Sequence, residues 1–210
     1  MKVYGKRFLG RYTWEELKEH RKNGTIGEIL ESGDQIPVTL KDGEEVVFDV
    51  TYDETGKIFF VLHDCLAEEH CMNEKCTNEG GWAASDMRKW LNTEVLSRLP
   101  DDLQAVIEPT HIVQVLDGER IECDDKLFLL SATQVFGRAA RWNKQEPEDY
   151  PLDFFTTERS HVKECGDNGT WFWWLRRAYY DDGFNYVYGS GSIGNYSANG
   201  TGGVALGFSI

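Results

Sequence analysis

The residues best equipped for chemistry gather in a few places along the chain. His63, Cys65, His70, Cys71 and Cys76 fall within one short stretch, and thiolate with imidazole is zinc chemistry. Their spacing is not Cys-x-x-Cys, and no second ligand pair follows at zinc-finger distance. Cys123, His161 and Cys165 could join them only through the fold, so the cluster reads as structural and no metal is assigned. His161 and Cys165 lie four apart, a spacing that could pair a base with a thiol nucleophile on one helix face. The glycines and polar residues around them argue against a helix. Residues 189–194 match Gly-x-Gly-x-x-Gly, but a dinucleotide site needs a strand before, a helix after and a ribose-binding acid about 20 residues on. No helical segment follows, and the sequence ends before that acid could appear. Asp181 and Asp182 could offer calcium two carboxylates, short of the six to eight oxygens that ion usually takes. These residues predict no cofactor and no enzyme.

The 22 basic and 36 acidic residues leave a net charge of −14. Such a surface repels phosphate backbones and anionic lipid, so nucleic-acid and membrane partners are disfavoured. Hydrophobic residues at 40% and aromatic residues at 13%, seven tryptophans among them, suit a packed globule. Five cysteines in a sequence that opens on a charged segment (Lys2, Lys6, Arg7, Arg11) predict free thiols. Asn-x-Ser/Thr matches at Asn23, Asn168, Asn195 and Asn199 are expected by chance in a Gly/Asn/Thr-rich chain. No apolar run approaches the ~18 residues of a membrane span. The protein is expected to be made in the cytoplasm without a signal peptide, any virion-associated location requiring assembly into something larger.

The elements that would hold these residues can be read from periodicity. Thr13-Trp14-Glu15-Glu16 is a capping box opening a helix to about Lys22. Residues 36–40, 46–52 and 58–62 are strand-like, and Asp42-Gly43 and Glu54-Thr55-Gly56 between them predict a three-stranded meander. Ser85 caps a helix through Met87, Trp90, Leu91, Val95 and Leu96, and a second helix follows Pro100. Strands are expected near 112–116 and 126–130, with Asp117-Gly118 in the turn, and Ser131 with Gln134 forms another capping box. Residues 138–169 are polar and irregular, a functional or stabilising excursion. Residues 171–175 read as a buried strand, and 184–188 and 204–208 as short strands separated by a Gly-rich loop. Helices and strands are segregated, which predicts an α+β fold with antiparallel sheets.

From Tyr179 to Gly203, Tyr, Asn, Ser, Asp and Gly account for 20 of 25 positions. That is the vocabulary of adaptable binding loops: tyrosine gives large contacts at low entropic cost, and the small residues give hydrogen bonds and backbone freedom.

Gly80-Gly81-Trp82 with Ser85-Asp86-Met87-Arg88-Lys89-Trp90-Leu91-Asn92, then Asp125-Lys126-Leu127-Phe128-Leu129-Leu130-Ser131 with Gln134-Val135, then Trp173-Trp174-Leu175-Arg176, form an ordered run of blocks. Over residues 33–210 the run resembles a bacterial and phage domain family of unassigned function, whose members look like C-type-lectin folds related to the formylglycine-generating enzyme. The tail also resembles the variable proteins of diversity-generating retroelements, in which adenine-directed mutation scatters Asn codons into Tyr, Ser, Asp, Gly and Thr. The resemblance implies a C-type-lectin-like domain at 33–210 behind an N-terminal helical segment at 1–32, with a variable, ligand-binding end at about 171–210. Carried over residue by residue, the ligand-binding positions are Tyr179, Tyr180, Asp181, Asn185, Tyr186, Tyr188, Ser190, Ser192, Asn195, Tyr196, Ser197 and Asn199. Residues 171–176 would be scaffold.

The sequence departs from the family where Gly203-Val204-Ala205-Leu206-Gly207-Phe208 lacks the usual Arg-Pro. Formylglycine-generating enzymes use two late cysteines, and only Cys165 stands there. The Glu-Pro-Asn and Trp-Asn-Asp loops of calcium-dependent lectins are only echoed, by Glu146-Pro147 and Trp142-Asn143. The resemblance therefore implies binding without catalysis, with a protein or glycan on a host or neighbouring cell as ligand and homo-oligomerisation compatible with it. The alternative is a fixed-specificity structural or assembly protein on the same fold.

Overall fold

A computed structural model describes residues 12–137, 144–156, 158–180 and 182–210. Helix α1 (Trp14–Lys22) begins at Thr13, whose hydroxyl and the Glu16 carboxylate complete the expected capping box. Its buried Trp14 and Leu17 enter the same core as the strands that follow. Lys18 donates to Val106 O at 2.9 Å, and Arg21 pairs with Glu108.

Strands β1 (Gln35–Thr39), β2 (Glu45–Tyr52) and β3 (Ile58–Leu62) form the meander. Asp53 sets its second turn, its Oδ1 accepting from the Thr55 and Lys57 amides. After the two-residue β4 (His70–Cys71) come α2 (Gly81–Ala84), α3 (Asp86–Trp90), a π-helical turn over Leu91–Val95, α4 (Leu96–Arg98) and α5 (Asp101–Val106).

Strands β5 (Thr110–Leu116) and β6 (Glu119–Asp125) make a hairpin through Asp117-Gly118. Periodicity predicts the returning strand near 126–130. The observed one is mostly acidic and mostly exposed, so it carries no apolar alternation to reveal it. Of the expected stretch only β7 (Phe128–Leu129) is a strand, followed by α6 (Ala132–Phe136) with its Ser131–Gln134 capping box.

The chain ends in β8 (Trp173–Tyr179), β9 (Gly183–Val187), β10 (Ile193–Ser197), β11 (Thr201–Gly202) and β12 (Leu206–Phe208). The main sheet runs β1-β2-β3-β12-β7 and is antiparallel, and a second sheet runs β10-β9-β8. This is an α+β fold. No helix among the described residues is long and apolar enough to cross a membrane.

The three sequence blocks turn out to be buried polar locks. Gly80 and Gly81 take positive φ, and a Cβ on Gly81 would lie 2.5 Å from Leu116. That turn delivers Trp82 into the core, where its Nε1 donates to Asp125 at 2.8 Å. Arg88 Nε donates to the same carboxylate at 2.7 Å. Asn92 donates to Leu127 O and accepts from the Lys126 and Leu127 amides, pinning the next block to the helix. Arg176, 1% exposed, is held by Asp149, Leu129 O and Gln134. Burying such charges is tolerable only because each is paired and hydrogen-bonded.

The irregular stretch is stabilising where it is described. Glu146 is fully buried, accepting from the Thr133 amide and hydroxyl at the start of α6. Asp153 accepts from Ser32, Thr51 and the Tyr52 amide. Residues 138–143, with Trp142-Asn143, lie outside the described residues.

Cys65 and Cys165 are joined as a disulfide, correcting the expectation of free thiols throughout. Cys71, Cys76 and Cys123 are free. The pairing links residues 100 apart in sequence, and only folding brings them together.

Asp125→Ala leaves Trp82 Nε1 and Arg88 Nε without their shared acceptor and should cost about 3–5 kcal/mol in urea unfolding. Asp124→Ala, at an exposed pair with His111, should cost less than about 1 kcal/mol. Burial, then the neighbouring Asp149, pushes the Glu146 carboxyl from 4.5 up to about 7, opposed by Arg176 and Arg177. The folded state then holds this proton more tightly than the unfolded one, so its contribution is full below pH 4.5 and is lost as pH rises through 7. Glu146→Gln should flatten that slope in unfolding free energy measured across the same window.

Candidate functional site

The second sheet presents the tail. It is anchored where the Trp174 amide donates to Gly203 O at 3.0 Å and where β11 pairs with β4. Strands β9 and β10 pair through a hairpin at residues 188–192, with Tyr188 N–H donating to Ser192 O and Gly191 N–H to Tyr188 O. The Gly-x-Gly-x-x-Gly match is therefore a β turn running into a strand. The Gly-rich loop expected here contains β10 itself, hidden from periodicity because Gly194 and the polar Asn195 and Ser197 break the apolar alternation.

Strand alternation sorts the residues. Trp174, Phe184, Tyr186, Tyr188, Gly194 and Tyr196 share one face, and Asn185, Asn195 and Ser197 point to the other. On the first face the rings form one connected patch. Phe172 lies 4.7 Å from Tyr186, 5.7 Å from Tyr196 and 5.5 Å from both Trp171 and Trp174, and Tyr186 lies 4.6 Å from Tyr188. Trp171, Tyr188 and Tyr196 are 44%, 45% and 50% exposed.

Glycines make this arrangement possible. A Cβ on Gly194 would fall 2.6 Å from the Tyr188 ring and 2.8 Å from that of Tyr186. One on Gly200 would fall 2.0 Å from the Tyr196 ring, and one on Gly202 2.2 Å from the Phe172 ring. The tail's glycines are seats for aromatic rings as well as turn residues.

The patch is electrically neutral. Residues 183–210 contain no Asp, Glu, Lys, Arg or His, and burial, then Tyr188, pushes the Tyr186 hydroxyl well above the usual tyrosine range. Ser190, Ser192 and Asn199 are exposed, and the two serine hydroxyls lie 3.0 Å apart.

Several expected ligand positions need correction. Tyr186 is 6% exposed and Asn185 3%. Tyr186 is covered by Phe172 and Tyr188, and Asn185 is used up bonding Gly194 O and Arg177, so both support the face and do not form it. Asn195 and Ser197 belong to the other side of β10. Tyr179 and Tyr180 pair ring to ring at 4.3 Å in the β8–β9 turn, whose carbonyls the Asn78 amide gathers. No ring contact among the described residues joins them to the patch, and Asp181 lies outside those residues. The reading of residues 171–176 as buried scaffold holds from Trp173 onward. Trp171 is exposed and Phe172 half-buried at the centre of the patch; their position just before a buried strand concealed this.

The Cys/His residues are divided among separate tasks. His63 Nδ1 bonds the buried Asp49 at 2.9 Å, His70 stacks on Trp90 at 4.3 Å, and Cys65 is in the disulfide. His161 is buried against Phe136, its Nδ1 facing Gly191 O. Among the described residues no three His, Cys, Asp or Glu are disposed to hold a metal ion.

Truncations should separate the buried ring from the exposed ones. Tyr186→Ala should lower unfolding free energy by about 3 kcal/mol, as loss of a buried ring does. Tyr188→Ala and Tyr196→Ala should each cost no more than about 1 kcal/mol.

The model of a family described as a domain of unknown function (DUF6273) matches residues 56–210, so the chain belongs to that family. The match takes in all three sequence blocks and the whole aromatic patch. No curated protein and no solved structure matches the chain.

Proposed function

We propose that this DUF6273 member is a ligand-binding protein whose reading surface is the aromatic face of the second sheet. The observation that carries this is a patch of part-exposed Trp171, Tyr188 and Tyr196 rings linked through Phe172 and Tyr186, with Tyr188 seated on Gly194 and Tyr196 on Gly200, in an uncharged region of a chain whose net charge is −14. An exposed aromatic patch of this kind is costly to leave in water and marks an interaction site. The three rings are the anchors, Ser190, Ser192 and Asn199 hydrogen-bond around them, and Phe172, Tyr186 and Trp174 hold them from below. No catalytic step is involved. Interfaces built this way draw most of their affinity from a few aromatic residues.

The scaffold is C-type-lectin-like. Supporting this are the C-terminal strand returning into the main sheet beside β3 and the separate three-stranded sheet that carries the tail. The exposed tail positions are diversified as in retroelement variable proteins. Their Tyr/Ser/Asn/Gly vocabulary supports this, as does the division between buried block residues such as Trp173 and Arg176 and exposed Tyr and Ser positions. The ligand is a protein or glycan on a host or neighbouring cell.

Two measurements test the reading. The triple variant Trp171→Ala/Tyr188→Ala/Tyr196→Ala should lose binding to the surface of the host or neighbouring cell while its melting temperature stays within a few degrees of the parent. Undiminished binding by this folded variant would overturn it. Diversification predicts a near-copy of the 3′ coding end, differing at adenines, beside a reverse transcriptase gene. Variation among sibling genes that fell on Trp173 or Arg176 and spared Tyr188 and Tyr196 would refute it.

A further inference from the structure

Gly203 is the point where the returning limb of the tail meets the start of β8. Its N–H donates to Phe172 O and its carbonyl accepts from the Trp174 amide, each at 3.0 Å. Phe172 is the ring at the centre of the aromatic patch, so these two bonds hold the patch at its base. Both sulfurs of the Cys65–Cys165 disulfide lie against the same glycine. A Cβ on Gly203 would fall 2.4 Å from Cys165 Sγ, 2.6 Å from Cys65 Sγ and 3.0 Å from Phe172 O. No side chain fits between the disulfide and that carbonyl.

The backbones that carry the two sulfurs are fixed by other means. Cys65 N–H donates to Glu164 O, Leu66 N–H to Val204 O and Cys165 N–H to Gly169 O. The buried Lys163 amine bonds the Leu62 and His63 carbonyls. Cutting the S–S bond therefore leaves the two sulfurs facing each other across the same gap. A covalent bond holds them inside contact distance, whereas two thiols must part to the roughly 3.5–4.0 Å of non-bonded heavy atoms. Gly203 is packed against both, so their separation displaces it. The freed Cys165 thiol is also a donor 4.0 Å from Phe172 O, the acceptor that Gly203 N–H uses.

We infer that the Cys65–Cys165 disulfide is a redox latch on the aromatic face: joined, it seats Gly203 and the base of the patch, and reduced, it unseats both. Cys65 is half-buried and Cys165 is 1% exposed, so an external dithiol reaches Cys65 first. Its thiolate attacks Cys65 Sγ, the S–S bond breaks, and Cys165 leaves as a thiolate that takes up a proton. The second thiol of the reductant then displaces Cys65, which is protonated in turn, and the reductant departs as a disulfide. Two electrons and two protons pass to the protein. A reducing compartment would keep the face loose, and an oxidising one would complete it. The consequence for binding rests on the reading of this face as the ligand surface; the latch itself does not.

Thiol titration of the denatured chain purified in air should find the three free cysteines, and all five after dithiothreitol. Hydrogen exchange read by mass spectrometry then tests the coupling in the folded chain. Reduction should speed exchange of the Trp174 and Gly203 amides about tenfold or more, while the β2–β3 pair keeps its protection. Cys65→Ala/Cys165→Ala has no sulfurs to part and should hold those two amides near the oxidised level. Five thiols before reduction, or an anchor equally protected in both redox states, overturns the latch. So does an anchor as open in the alanine variant as in the reduced chain, or protection lost evenly through the meander. Exchange is read without ligand, so the triple ring variant still decides separately whether the face binds.

Discussion

Strand β12 lies between β3 and β7, and its Phe208 ring stacks on Phe60 at 5.1 Å and stands edge-on to Phe48 and Trp14. Three parts of the chain meet at that ring: the N-terminal helix, the meander and the C-terminus. Because the last strand is held inside the main sheet, the tail before it must leave β8, form a hairpin and come back. The Gly203 carbonyl bonded by Trp174 and the β11–β4 pair fix the returning limb. The aromatic face is thus a segment clamped at both ends, and its side chains can be exposed without loosening the fold.

Buried charge performs the complementary task around the rim of this core. Asp125 joins the Trp82 turn to Arg88, and Asp149 with Gln134 holds Arg176 at the start of the second sheet. Each lock links segments far apart in sequence, and breaking one leaves an uncompensated polar group in a low-dielectric interior. Lys163 belongs to the same class: it is buried, donates to the Leu62 and His63 carbonyls and lies over the Trp173 ring. Burial pulls its amine down to about 8. Each of the three sequence blocks supplies one side of such a lock.

The surface salt bridges lie away from the tail. Salt bridges such as Arg98 with Asp42 and Glu44, or Arg120 with Glu148, lie on the helix and hairpin surfaces. The tail has none to make. Its contacts are made by ring faces, hydroxyls and amides, with Arg177 reaching Asn185 from β8.

The sequence by itself determined the local elements and the class of fold. Both capping boxes, the meander and the helix after Ser85 depend on residues within one or two turns of each other, so side-chain spacing reveals them. It also determined that the tail would be rich in Tyr, Ser, Asn and Gly. What it could not decide was which of those residues face water. Tyr186 and Tyr188 are two apart on one face, yet one is buried and the other half exposed because Phe172, a dozen or more residues earlier, lies over the first. The acidic β6 was illegible because an exposed strand needs no apolar alternation. The disulfide, the Asp125 lock and the place of β12 were settled only by tertiary structure. Each joins positions that propensity and periodicity treat as independent, and burial of a side chain is a property of what packs against it.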